Sequence, residues 1–190
     1  MSSIVVRSFI PFALLLFILA PSAKAADTSS IDTHVRTADA KVSLLLRQAL
    51  AASPSFRMLV SRLNESDVIV YVKRDPNLSS LLAGQLTFLG SGGSRRYVVV
   101  SLAWGVSEQR GISTLGHELQ HAIEVAERPE IVDSASLARA FAGFGEVSHG
   151  AHGRVEFETA AAAEAGRRIW AEVNGRAPVP PEALYGAGQP

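Results

Sequence analysis

The 190-residue sequence predicts an α+β fold in which helices are followed by a small antiparallel sheet and then by a helical C-terminal half. Three observations carry this. Apolar residues recur at helical spacing from residue 37 to about 66. β-branched segments bounded by turn residues cluster between 67 and 104. Helical periodicity then returns from 111 onward.

The elements follow in order. TADAKVSLLLRQALAAS places Val42, Leu45, Leu46, Ala49 and Leu50 on one helical face. Ser53-Pro54 breaks that helix, and SFRMLVSRLNES forms a second, shorter one. DVIVYVKRD is β-branched and bounded by Asp75-Pro76, so it reads as a strand. GQLTFLGSGGSRRYVVVSLAW has two apolar runs around a Gly/Ser turn, which predicts a hairpin. Gly90, Gly92 and Gly93 could cradle a phosphate only if a helix followed; a strand follows instead, and a plain turn is the better reading. GISTLGHELQHAIEVAE is a helix stopped at Arg128-Pro129. DSASLARAFAGF is another, with Asp133 or Ser134 as its N-cap. EFETAAAAEAGRRIWAEVNG is a third, closed by Asn174-Gly175. No internal repeat is evident.

The two ends are expected to lie outside this fold. Residues 1–25 have the layout of a signal peptide: Arg7, the apolar run SFIPFALLLFILA, and an A-x-A cleavage site at Ala23, Lys24 and Ala25. The apolar run is short for a membrane span, so export is favoured over an uncleaved anchor, and no membrane association is expected after cleavage. A single domain over 26–175 and a flexible Pro/Gly-rich tail over 176–190 complete the expected organisation. Apolar content of 47% suffices for a core, and zero net charge gives no electrostatic case for nucleic acid. The chain has no cysteine, which excludes disulfides, lipidation at the cleavage site and thiolate ligands.

The candidate chemistry lies in HELQH, residues 117–121. With His117 at zero on a helical wheel of about 100° per residue, His121 falls at about 40°, nearly above it. Ile112, Leu115, Leu119, Ala122, Ile123 and Ala126 fall between about 140° and 240°, on the opposite side. The helix can therefore dock by its apolar face while both imidazoles converge on one tetrahedral ion. Glu118, at about 100°, lies at the shoulder of the polar face. From there it could take a proton from an attacking water without ligating the ion.

A catalytic zinc takes three protein ligands and leaves one position open. Glu124 shares the histidine face but lies two turns past His117, which suits a hydrogen bond to a ligand better than ligation. His149 and His152, in the Gly-rich EVSHGAHGRVE, are further candidates. Glu158 is favoured: read as helical, it heads a stripe of Ala162, Ala165 and Ile169 that should face a close neighbour. A carboxylate drawn inside there needs a cation or several donors.

HELQH with a glutamate beyond it resembles the gluzincin branch of zinc metallopeptidases, chiefly the small single-domain members. The resemblance spans roughly residues 66 to 173, and HExxH is its only sharp motif. It implies a zincin-like fold with an active-site helix, zinc held by His117, His121 and Glu158, and Glu118 as general base. It further implies that the strand before that helix, RRYVVVSLAW, rims the cleft and offers backbone groups to an extended peptide. Two features depart from the larger gluzincins. Ala162 stands where they carry an acid one turn after the third ligand, so that Glu124 or Asp133 would have to orient a histidine. For the oxyanion only Tyr97, His149 and His152 offer themselves. The expected function is an exported peptidase acting on peptides or proteins; the competing reading is a non-catalytic exported binding module with a structural or vestigial zinc.

Overall fold

The computed structural model describes residues 33–78, 82–149 and 155–175; the expected signal peptide, the tail and His152 lie outside them. The described residues all belong to one unit. In chain order the elements are β1 (Val35–Arg36), α1 (Ala40–Ala52), α2 (Pro54–Asn64), β2 (Val68–Asp75), β3 (Gly84–Gly92), β4 (Arg95–Ala103), α3 (Glu108–Ala126), α4 (Ser134–Phe144), β5 (Glu146–His149), β6 (Val155–Glu158) and α5 (Ala160–Val173). The fold is mixed α+β.

The sheet departs from the expected antiparallel arrangement. Its order is β1-β2-β4-β3, with β1 parallel to β2, β2 parallel to β4, and only β3 antiparallel to β4. The hairpin forms as its sequence predicts, with Gly93 at φ 60° in the turn and a bulge between Phe88 and Gly90. However, its second strand pairs with β2 on its far side. The reason is burial: Val98, Val100 and Leu102 of β4 and Val68, Val70 and Val72 of β2 are all buried on the face toward the helices. Near-continuous apolar strands suit a central, parallel position. β3, which alternates more and carries glycines, takes the edge.

The helices cover one sheet face. Asp39 caps α1, and Ser53 ends α1 and caps α2, with Pro54 in the first turn. Glu172 of α5 accepts hydrogen bonds from the Ser53 and Ser55 hydroxyls and from the Ser55 N–H, which pins α5 to the start of α2. α3 is the central helix; Leu115 and Leu119 are fully buried beneath the sheet. Its contact with α5 depends on small residues: a Cβ on Gly116 would run into Ile169, and one on Gly166 would come within 3.4 Å of His117 Cβ.

The C-terminal half is not purely helical. β5 and β6 form an antiparallel pair with Glu146 opposite Glu158, in a segment expected to be loop and helix start. Thr159 is the N-cap of α5, accepting from the Ala162 N–H. Glu158 therefore ends a strand and does not head the helical stripe. Thr159, directly before the alanine run, is a residue type that favours the N-cap and accounts for the shift.

Candidate metal centre

α3 begins at the Ser107 cap and runs for 19 residues, presenting His117 and His121 on one side. Glu158 reaches the same point from the end of β6. One ligating atom from each of the three lies within 4.8 Å of the others. Thus the two histidines and the glutamate favoured from sequence are brought together, although the glutamate arrives from a strand.

Each side chain is held by a separate partner. His117 Nε2 lies 3.5 Å from Glu158 Oε2, and its ring faces the first turn of α5, where the Ala162 backbone favours its protonated form. His121 Nδ1 donates to Glu124 Oε2 at 2.8 Å, which leaves Nε2 for the cluster. Glu124 is buried, and its other oxygen accepts from Thr159 Oγ1 at 2.7 Å. Glu158 Oε1 accepts from the Thr159 N–H at 2.9 Å, leaving Oε2 turned toward His117. Glu124 is accordingly not in the cluster but orients His121, the part its helical position suggests.

Glu118 is buried between α3 and the start of β3. Burial drives its carboxyl up to about 7, and neighbouring Glu158 adds to this, against His121 and the Leu86 N–H. Burial also lowers His117 to about 4, aided by the charge of His121, so its imidazole is neutral at ordinary pH. At His121 burial works against the proton, but the Glu124 hydrogen bond and the nearby carboxylates outweigh it and raise the pKa. Burial raises Glu158, opposed by the Thr159 N–H.

The place is thus one where carboxylates favour a positive charge and where two imidazoles turn ring nitrogens inward. Two nitrogens and one carboxylate oxygen fit zinc in both number and kind. The side chains of His117 and Glu158 are 22% and 46% exposed, so the cluster is open on one side, whereas His121, Glu118 and Glu124 are buried. Phe141 of α4, 5.5 Å from His121 between ring centres, walls the inner side.

No protein-family model matches the chain, and no curated protein or solved structure is significantly similar to it.

Two expectations about the surroundings change. β4 is not the rim of the cleft, because both of its edges are paired. The open edge nearest α3 belongs to β3, and Ala83 C=O bonds to Ala103 N–H, which sets the alternation. Gly84, Leu86 and Phe88 therefore point their backbone groups away from β4, and Leu86 N–H meets Glu118. Tyr97 is also remote from the cluster: it stacks on Tyr71, 6.5 Å away between ring centres, on the sheet face opposite α3. His149 ends β5 rather than lying in a loop.

Sequence reasoning missed Thr159, Phe141 and Gly84. Gly84 carries no side chain for a steric reason, since a Cβ there would lie 2.6 Å from Thr114 Cγ2 and 2.9 Å from Glu118 Oε1. A groove of about 570 Å³ lies farther along, lined by Leu78, Leu82, Trp104, Val106 and Arg110 among others, with none of the cluster residues in its wall.

Proposed function

We propose that the protein is a zinc-dependent peptidase of zincin-like, gluzincin type. The single observation supporting this most is the convergence of His117, His121 and Glu158 with Glu118 buried beside them. When bound, zinc would polarise a substrate carbonyl and acidify water.

The chain's own residues would do the rest. The His121 imidazole is fixed on its far side by Glu124, so its metal-facing nitrogen needs little rearrangement. Glu118, driven up to about 7 by burial, can accept a proton near neutral pH and pass it to the leaving amine. The exposed sides of His117 and Glu158 admit the substrate, which is the arrangement of a catalytic rather than a fully enclosed structural site. An extended peptide would lie along the edge of β3 that is unpaired among the described residues, beside Glu118. Export through residues 1–25 would place this activity outside the cytoplasm.

Zinc content and peptide cleavage test the proposal together. The purified protein should hold about one zinc per chain, and His117→Ala should lose it. Glu118→Gln should keep the zinc and lose cleavage of a peptide library by at least about a hundredfold. Zinc without cleavage in the wild type would leave a non-catalytic binding module as the better reading. Absence of zinc binding would defeat both.

A further inference from the structure

We infer that Thr159 is a positioning residue that ties the third ligand to the orientation of His121. This rests on the metal centre proposed above, and it follows from what Thr159 does with its separate polar groups. Its N–H donates to Glu158 Oε1 at 2.9 Å. Its hydroxyl proton goes to Glu124 Oε1 at 2.7 Å, and its hydroxyl oxygen accepts from Ala162 N at 3.1 Å. Thr159 is itself buried, and so are His121 and Glu124.

The consequence is a continuous chain of contacts. It runs from the His121 imidazole through both oxygens of Glu124 to the Thr159 hydroxyl, and from the Thr159 backbone to Glu158. A carboxylate accepting on both oxygens has a fixed plane, and a fixed plane fixes the imidazole that donates to it. An ordinary N-cap needs only the acceptor role toward Ala162. The donation into a buried carboxylate 35 residues away is additional, and it connects the β6–α5 junction to the ligand helix. Without that donor one oxygen of Glu124 loses its partner, so the side chain can turn and release His121.

Zinc affinity, read by competition with a chromophoric chelator, separates positioning from capping. Thr159→Val removes the hydroxyl at nearly constant shape and should weaken zinc binding about 10- to 100-fold. Thr159→Ser retains the hydroxyl and should remain within about threefold of wild type. Ser107→Ala removes the cap of α3 far from the cluster and should also stay within about threefold, although it lowers the melting temperature. If Thr159→Val fails to fold, Thr159→Ala, which removes the same hydroxyl without placing a methyl group against the Glu124 carboxylate, is measured in its place and should show the same loss of about 10- to 100-fold. Equal zinc affinity in wild type and Thr159→Val would overturn the inference and leave the metal centre standing. So would a loss in Ser107→Ala as large as in Thr159→Val. Failure of the wild type to bind zinc would instead remove the metal centre on which the inference rests.

Discussion

Two buried polar clusters share α3, and they are built to opposite plans. Near the C-terminal end of the helix, Arg96 reaches in from β4. Its guanidinium bonds both oxygens of Asp67 at 2.7 Å and the carbonyls of Val125, Ala126, Arg128 and Ile131. The donors are met by acceptors, and the last carbonyls of α3 gain a cation where the helix dipole favours one. At mid-helix the arrangement is reversed. His117 Nε2 and Glu158 Oε2 lie 3.5 Å apart at a partly exposed surface, with His121 turned toward the same point. The first cluster closes upon itself and fixes the helix. The second gathers electron-rich atoms around a space and gains most from a cation. The difference teaches that burial of charge alone does not distinguish the two; the convergence of ligating atoms on one point does.

The largest effect expected from breaking this contrast comes from Arg96→Ala. It leaves the carbonyls at the end of α3 without their donor and Asp67 without its partner. The metal-free protein should lose about 3 kcal/mol or more, measured by urea unfolding. Zinc stoichiometry of the fraction that folds should stay near that of wild type, because no cluster residue touches Arg96. A stability loss below about 0.5 kcal/mol would show that the closed network does not hold the helix.

Much of this was legible in the sequence, and the limits have physical reasons. Periodicity places α1 to α4 and the β3–β4 hairpin, because half-buried helices and edge strands leave a strong pattern. HELQH gives the neighbourhood of His117, Glu118 and His121, since residues on a single helix keep a fixed spacing. Glu158 enters the candidate cluster for a different reason than helical periodicity suggests, since the helix starts at Ala160, four residues later than the expected start at Glu156. Strand order was not legible, because pairing of β2 with β4 joins residues some 30 apart and depends on which strand is apolar on both faces. Arg96 in a β-rich run looks like a surface charge; only the tertiary structure shows it beneath the end of α3. Thr159 and Glu124 are 35 residues apart, and their bond has no local signature.

Gly84→Ala probes the open cluster with a smaller expected effect. The backbone of Gly84 needs no left-handed conformation, so the added methyl acts only by contact. It would press on Thr114 Cγ2 at 2.6 Å and on Glu118 Oε1 at 2.9 Å, so both side chains must give way and the carboxylate shifts with them. Displacement of the base by even a fraction of an ångström should lower the rate of peptide cleavage about 10- to 100-fold. Zinc affinity should remain within about threefold, since no ligand is displaced. A variant with unchanged cleavage would show that Glu118 tolerates movement, which would weaken its assignment as base.

The smallest effect belongs to the exposed end of the closed cluster. The Arg96 hydrogen bonds hold the Asp67 carboxyl below its ordinary 3.8, so the unfolded chain binds that proton more readily than the folded one. The contribution of this pair is therefore complete above about pH 4 and is lost as pH falls through the lowered folded value. Asp67 is 40% exposed, and solvent screening limits its worth to about 1 kcal/mol or less at neutral pH. Asp67→Asn should accordingly be less stable than wild type at pH 7, and the gap should narrow between pH 4 and pH 2. Urea midpoints of the metal-free proteins measure this without interference from zinc release at acid pH. A gap that stays constant or widens on acidification would mean that Arg96 acts through the helix carbonyls alone, and that Asp67 contributes nothing to the lock through its charge.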